Sequence, residues 1–277
     1  MKPPIGRDTR LCMSLSARPS NFGSRFHNHL YEALGLDYVY KAFRIEDIAG
    51  AIAGVRALGV RGCAISMPFK EAVIPLLDVM EASAKAIDSI NTIVNDDGRL
   101  TGYNTDYTAV RTLIEQLGVE PAEIDRRGGF ILRGSGGMAK AVAAALRDTG
   151  FRRGMIFARN ARTGPELAAS YGFEWQPELG NRVAPFLLNA SPLGMAGADQ
   201  DVLAFAQDRI GASEIVFDMV ALPLETPMLT KARELGKRVI TGGDVGVLQA
   251  LEQFVLYTGI RPSAAQVDAA AGFARTP

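Results

Sequence analysis

Short apolar runs alternate along most of the chain with segments in which apolar residues recur at helical spacing. The runs predict buried strands, and the periodic segments predict amphipathic helices. Strands are predicted over residues 11–15, 38–43, 62–67, 90–94, 99–102, 130–132, 155–158, 186–189, 215–219 and 238–240. Helices are predicted over 24–34, 45–58, 107–117, 138–146, 165–171, 227–235 and 244–257, with two more beginning near Lys70 and after Ser263. Ser24 is the expected cap of the first helix, and Pro68 suits the first turn of the helix near Lys70.

Polar stretches divide these elements. Asn95-Asp-Asp-Gly98 is a hairpin turn signal between the strands at 90–94 and 99–102. Residues 119–128 contain Pro121 and paired arginines and predict a connection. Strands that alternate with helices favour an α/β fold with parallel strands and right-handed crossovers.

A glycine turn, Gly134-Ser-Gly-Gly-Met-Ala139, joins a predicted strand to a predicted helix. That context is what supports a dinucleotide-binding fingerprint over an ordinary glycine-rich turn. Gly134 permits the tight turn, the bare backbone at Gly136 lets a pyrophosphate approach, and Ala139 lets the helix pack closely on the strand. The start of the helix offers N–H groups and partial positive charge to the phosphates. The predicted cofactor contacts are Gly134, Ser135, Gly136, Gly137, Met138 and Ala139.

The end of the next strand discriminates NAD from NADP in such a fold. Here the segment after Phe157 contains Arg159 and Arg162 and no acid before Glu166. Guanidinium groups bind a 2′-phosphate through charge-assisted hydrogen bonds, so the sequence favours NADP, with Arg159 as the better candidate. The alternative is that both arginines are ordinary surface residues. Because the glycine turn opens the second half of the chain, we expect two α/β lobes, with the dinucleotide in the later one.

Composition excludes several classes of function. The 277 residues include 30 basic and 30 acidic side chains, so no charge excess favours nucleic acid. The segment 1–20 has no apolar core of a secretory signal, and no run approaches the ~18 apolar residues of a membrane span. Cys12 and Cys63 fall in apolar runs and predict buried free thiols. Without a signal, a membrane span or a disulfide pattern, we expect a cytoplasmic protein. His27 and His29 lack a third ligand at metal spacing, so we expect no metal.

Lys70 and Asp106 are the candidates for acid–base chemistry. Interconversion of an alcohol and a ketone moves one proton to or from the oxygen, and a lysine can transfer it. Asp106 would hold the lysine in place. The alternative is a surface ion pair of little energetic value, which spacing alone favours.

Seven motifs that occur in one order favour the catalytic interpretation of Lys70 and Asp106 over the surface ion pair. They are Ser66-Met-Pro-Phe-Lys-Glu71, Ile90-Asn-Thr-Ile93, Tyr103-Asn-Thr-Asp106, Gly134-Ser-Gly-Gly137, Asn189-Ala-Ser-Pro-Leu-Gly-Met195, Phe217-Asp-Met219 and Gln249 in a C-terminal helix. Together they resemble the shikimate dehydrogenase family over nearly the whole chain. The resemblance implies a catalytic, substrate-binding domain at 1–107 that regains the helices of 243–277. It also implies a Rossmann-type NADP-binding domain with a parallel sheet at 108–242.

The resemblance further implies NADP-dependent, reversible reduction of 3-dehydroshikimate to shikimate by a monomer or homodimer. Lys70 and Asp106 match the catalytic pair of the family. Asn91 and Gln249 match its ligands for the substrate hydroxyls, and Ser66 replaces its usual threonine. Further cofactor contacts are implied at Asn160, Arg162, Asn189, Ser191 and Gly242.

The sequence departs from the family where the substrate carboxylate is bound. The usual serine-x-serine-proline motif aligns with Asn21 and Gly23, so Ser20 and Asn21 become the expected carboxylate ligands. Ser14-Leu-Ser16 lies too early to be that motif and is expected at a strand end. Alanine stands at positions 64 and 221, where the family has asparagine and tyrosine. These changes resemble a shikimate dehydrogenase-like branch. They leave open a quinate or aminoshikimate dehydrogenase, or a catalytically silent NADP-binding regulator.

Overall fold

The computed structural model describes residues 2–276. The chain forms two compact units. One runs up to Thr105 and resumes at Val247, and the other comprises Asp106–Gly246. Each unit contains a six-stranded sheet, the first mixed and the second all parallel. The predicted α/β class, with a Rossmann-type parallel sheet in the later unit, is confirmed.

The first unit is built on a sheet of order β2-β1-β3-β5-β6-β4. Its strands are β1 (Arg10–Ser16), β2 (Tyr38–Arg44), β3 (Gly62–Ile65), β4 (Val79–Met80), β5 (Thr92–Asp96) and β6 (Arg99–Tyr103). Its helices are α1 (Phe22–Ala33), α2 (Ile48–Ala57), a 3-10 helix at Ile74–Leu76, α3 (Ala82–Lys85) and the C-terminal α11 (Ala264–Arg275). The β5–β6 hairpin confirms the predicted turn, with Asp97 and Gly98 both at positive φ.

The second unit has the strand order β12-β11-β10-β7-β8-β9. The strands are β7 (Phe130–Arg133), β8 (Gly154–Phe157), β9 (Glu174–Gln176), β10 (Phe186–Asn189), β11 (Ile215–Asp218) and β12 (Arg238–Thr241). The helices are α4 (Thr105–Gln116), α5 (Pro121–Arg126), α6 (Gly137–Asp148), α7 (Thr163–Tyr171), α8 (Gln207–Ala212) and α9 (Pro227–Glu234). A last helix, α10 (Gly242–Thr258), begins here and continues into the first unit. The strand order reverses between β7 and β10, which is where doubly wound sheets bind ligands.

An aromatic cluster forms a hydrophobic core in the first unit. His27, on α1, is fully buried in it and stacks on Tyr40 with ring centroids 4.4 Å apart. In the described part of the chain neither ring nitrogen has a hydrogen-bond partner, and burial lowers the pKa of His27 to about 3. Cys12 and Cys63 are buried free thiols, as predicted.

Three local predictions are wrong. No α-helix begins near Lys70. The chain turns there and forms only the short 3-10 helix, because Pro75 lacks an N–H and disfavours helical backbone at the residue before it. Helix α1 begins two residues before Ser24, whose hydroxyl accepts from the backbone N–H of Ala42.

Residues 119–128 are the third case, because they contain α5. Pro121 begins this helix, and Ile124 anchors it with a buried side chain.

Among residues 2–276, no helix combines the length and apolar character needed to cross a membrane.

Candidate functional site

The glycine turn of the second unit leaves the start of α6 open. Gly134 has a φ of 115°, and a Cβ there would lie 2.7 Å from the carbonyl oxygen of Ala190. By contrast, a Cβ at Gly136 or Gly137 would meet no atom within 4 Å. Gly136 precedes α6 without a side-chain cap, so the first N–H groups of the helix face this bare backbone. This arrangement fits a pyrophosphate, for which the open space and the helix start are the needed features.

The remaining fingerprint residues support the turn. Ala139 is fully buried, as close packing of α6 on the sheet requires. Met138 is half-buried at the helix start. The hydroxyl of Ser135 lies 2.7 Å from that of Thr163, which joins the glycine turn to the start of α7.

A cleft of about 590 Å³ opens beside this turn. It is lined by five of the predicted cofactor residues: Gly134, Ser135, Arg159, Asn160 and Ser191. Six other lining residues were not among the predicted cofactor contacts: Arg133, Phe157, Ala158, Pro192, Leu193 and Asp199. The signal for Arg133 was present, because it is a cation that closes an otherwise apolar strand directly before Gly134.

Arg162 lies apart from the cleft lining. Its side chain is 79% exposed, and its guanidinium lies 3.8 Å from the carboxylate of Glu166, one helical turn further on. Asn160 instead turns its side-chain oxygen to the backbone N–H groups of Arg162 and Thr163, at 2.9 and 3.0 Å. Asn160 therefore shapes the loop after β8, while Arg159 remains exposed at the cleft.

The loop after β10 is held by Asn189. This side chain is fully buried, and its amide donates to the carbonyl oxygen of Leu193 at 3.1 Å and to Asp218 at 2.9 Å. Its oxygen accepts from the backbone N–H and the hydroxyl of Ser191, at 3.1 and 2.6 Å. The amide of Asn189 is thus used inside the protein, while Ser191 and Leu193 of this group line the cleft.

Asp218 completes that network at the end of β11. Its carboxylate also accepts from Thr226 at 2.7 Å and from the backbone of Val220 at 3.1 Å. Burial raises the pKa of Asp218 above its usual range. Gly242, at the start of α10, approaches the same strand end. A Cβ there would lie 2.3 Å from the carbonyl oxygen of Val220, so only glycine fits.

In the first unit, two backbone hydrogen bonds join the segment that carries Ser66 and Lys70 to the segment that carries Asn91. The N–H of Ile65 donates to the carbonyl of Asn91 at 2.8 Å. The N–H of Ile90 donates to the carbonyl of Lys70 at 2.9 Å. Ser66 is exposed and Lys70 half-buried. The structure therefore brings these three predicted residues together.

Asn91 is buried at the centre of this group. Its side-chain oxygen accepts from the hydroxyl of Thr92 and from the N–H of Thr105, both at 2.8 Å. Its amide nitrogen lies 3.4 Å from the side-chain oxygen of Gln249 on α10. One turn further along α10, Gln253 donates to the hydroxyl of Thr92 at 3.0 Å. Gln249 is thus brought to Asn91, as the predicted pairing of substrate ligands requires.

The other predicted catalytic and substrate-binding residues are Asp106, Ser20 and Asn21. Asp106 is half-buried in the first turn of α4, directly after Thr105. Ser20 and Asn21 are exposed in the loop before α1, and Asn21 makes no side-chain bond to the helix. Within residues 2–276, no hydrogen bond joins Ser20 or Asn21 to Asn91. Ser16 ends β1, as expected, and its hydroxyl accepts from the backbone of Arg18. No cluster of three metal-ligating side chains occurs in the same range.

The reversed strand order and the open glycine turn together define the class, a protein with a doubly wound, dinucleotide-type unit. Residues 21–93 match the family described as shikimate dehydrogenase substrate binding domain. The chain is 52% identical over 273 residues to a shikimate dehydrogenase-like protein of Haemophilus influenzae, covering 98% of this chain and 99% of that protein. It is 36% identical over 256 residues to shikimate dehydrogenase (NADP(+)) of Moorella thermoacetica, covering 87% and 85%.

Solved structures agree. A shikimate 5-dehydrogenase-like protein matches with a TM-score of 0.94 at 52% identity, over 99% of this chain and 100% of that one. Shikimate 5-dehydrogenase from Thermus thermophilus, in complex with NADP(H) and shikimate, matches with a TM-score of 0.82 at 28% identity, over 96% and 99%. The chain belongs to the shikimate dehydrogenase family and is an oxidoreductase of the shikimate dehydrogenase-like kind. The family predicted from the seven motifs is confirmed.

Proposed function

We propose that the protein catalyses NADP-dependent, reversible reduction of 3-dehydroshikimate to shikimate. The observation that carries the proposal is the pair of backbone hydrogen bonds that fix Ser66 and Lys70 beside Asn91. A ring hydroxyl held by Asn91 and Gln249 would lie close to the one lysine of this group. The family membership supports the same assignment, since relatives named for this activity match most of the chain.

Lys70 is the proposed general acid and base at the reacting oxygen of the ring. It donates a proton as the ketone becomes an alcohol and takes it back in reverse, a role worth a rate factor of about 10²–10⁴. Asp106 is the proposed orienting partner of the lysine. Asn91 and Gln249 bind the neighbouring hydroxyls, and Ser66 adds a further polar contact. Ser20 and Asn21 are the proposed ligands of the ring carboxylate.

NADP is the proposed cofactor, and the nicotinamide supplies or accepts the hydride when it is bound. The bare backbone at Gly136 and Gly137 would hold the pyrophosphate at the start of α6. Arg159 would bind the 2′-phosphate, because it lies exposed at the cleft and no acid precedes Glu166 after β8. Asn189 acts through the loop that carries Ser191. Under this proposal, the unit of Asp106–Gly246 is the cofactor domain and the other is the substrate domain.

The test is an absorbance assay at 340 nm (the NADPH band) with purified protein, NADP and shikimate. Separate reactions replace shikimate with quinate and NADP with NAD. Turnover with shikimate and NADP that disappears in Lys70→Met supports the proposal. Turnover that is retained in Lys70→Met contradicts the role of the lysine. Nucleotide binding without turnover on either acid contradicts the proposed reaction and favours an NADP-binding regulator.

A quinate or aminoshikimate dehydrogenase is the second candidate. The observation that favours it is the changed carboxylate loop, in which Asn21 and Gly23 occupy the positions of the family serines. A Cβ at Gly23 would contact the ring of Tyr40 at 3.4 Å, so this position is closely lined by an aromatic side chain. Faster turnover with quinate than with shikimate in the same assay would establish this alternative.

A further inference from the structure

Arg133 is fixed at the edge of the cofactor cleft. It is the last residue of β7 and directly precedes Gly134. Its guanidinium carbon lies 4.8 Å from the ring centroid of Phe157 and 6.0 Å from that of Phe205, and it donates to the carbonyl oxygen of Ala204. These contacts hold the positive charge in one place, so little side-chain entropy remains to be lost on binding a ligand.

A second cation faces the same cleft. Burial, and after it the positive charge of Arg159, lower the pKa of Arg133, which means that the two guanidinium groups act on each other. Among residues 2–276, neither arginine forms an ion pair with a carboxylate. Asp199 is the one acidic side chain of the cleft lining, which leaves two positive charges against one negative charge. Two repelling cations that lack a carboxylate partner favour a doubly charged anion between them.

The fold indicates which anion this is. In a doubly wound sheet, the end of the second strand lies at the adenosine ribose of the cofactor. Arg159 follows that strand, β8, and Arg133 is the register partner of its last residue, Phe157. We propose that Arg133 is a second specificity-determining residue, which binds the adenosine 2′-phosphate together with Arg159. This inference rests on the proposed use of NADP.

The test measures binding rather than turnover. Dissociation constants for NADP, NAD, 2′,5′-ADP and 5′-AMP are determined by isothermal titration calorimetry at one fixed salt concentration. The variants are Arg133→Met, Arg133→Lys and Arg152→Met. Arg152 is the matched control. It lies before β8, whereas Arg159 follows that strand, and the Arg152 side chain donates to backbone carbonyls. Its removal changes the net charge by the same amount.

Arg133→Met should weaken NADP and 2′,5′-ADP by about tenfold or more, as expected for a lost charge-assisted bond, and leave NAD and 5′-AMP within about twofold. Arg133→Lys should give an intermediate value, and Arg152→Met no change. Equal weakening of phosphorylated and unphosphorylated nucleotides, or none, would overturn the inference while the proposed function stands. If the unaltered protein binds none of the four nucleotides, the proposed cofactor fails as well. Thermal unfolding shows whether each variant is folded. If Arg133→Met is unstable, the nucleotide dissociation constants of Arg133→Lys test the inference instead.

Discussion

The side-chain oxygen of Asn91 accepts a hydrogen bond from the backbone N–H of Thr105 at 2.8 Å. Thr105 directly precedes Asp106. On its other side, Asn91 follows Ile90, whose N–H donates to the carbonyl of Lys70. One buried side chain therefore connects the backbone segments of both proposed catalytic residues. Asn91 is expected to hold those segments in place as well as to bind substrate.

Replacing Asn91 with alanine tests this relationship. Asn91→Ala leaves the N–H of Thr105 buried without its partner, which should lower the free energy of unfolding by about 1–3 kcal/mol. It should also reduce kcat/KM for the ring acid. Urea unfolding and steady-state kinetics measure the two effects. Asn95→Ala is the matched control, because Asn95 is also buried and its side chain is bonded to Val55 of α2 and to Gly98 of the hairpin. It should lower stability but keep kcat/KM, and an equal loss of activity in both variants would contradict the role of Asn91.

Removal of the amine of Lys70 should affect chemistry far more than cofactor binding. Lys70→Met keeps an apolar stem of similar length and should lower kcat by a factor of about 10²–10⁴, the usual value of a general acid–base group. The dissociation constant of NADP should stay within about twofold, because Lys70 belongs to the other unit from the glycine turn. Turnover assays and calorimetric titration check both expectations. Lys41→Met, which removes an exposed lysine of β2, should change neither quantity.

Two glycines of the fingerprint should respond differently to alanine. Gly136→Ala adds a methyl group in open space at a negative φ, so the melting temperature should hold while NADP binding weakens by about tenfold or more. Gly134→Ala places a methyl group against the carbonyl of Ala190 at a φ of 115°, and should lower stability by about 1–3 kcal/mol. Thermal unfolding with and without NADP separates the two. Retained NADP binding in Gly136→Ala would argue against a pyrophosphate at this backbone.

The buried His27 should make the protein less stable in mild acid. Its folded-state pKa is about 3, below the usual 6.5, so between these values the unfolded chain takes up a proton that the folded chain does not. The free energy of unfolding then falls as pH falls, by up to about 1.4 kcal/mol per pH unit from this group. His27→Phe keeps an aromatic ring beside Tyr40 and removes that contribution. Urea unfolding should show that the free energy of unfolding lost between pH 7 and pH 5 is smaller in the variant by about 2 kcal/mol. Identical losses in the unaltered protein and in His27→Phe would mean that His27 is not the source of the acid sensitivity.

Local patterns in the sequence were enough for most of the architecture. Ten predicted strands occur near their expected positions, because apolar runs and turn residues act within a few residues of one another. The glycine turn was identifiable for the same reason, since strand, turn and helix start are contiguous in the chain. The predictions failed where a local signal had a competitor, as at Pro75, which prevents a helix after Lys70. Ser24 failed because its hydroxyl found a partner on β2.

The order of the motifs along the chain was likewise sufficient to identify the family. The spatial arrangement of the polar side chains could not be predicted from the sequence. Asn91 and Gln249 are 158 positions apart, and only the packing of α10 against the first sheet places them together. Arg133 and Arg159 become neighbours because β7 and β8 pair in register, and the stacking of His27 depends on strands and helices from both ends of the chain. A sequence specifies which groups are present, but distances between remote groups follow from how the apolar faces pack. For that reason the class of protein was evident from the sequence, and the charge and hydrogen bonding of its site were decided only by the tertiary structure.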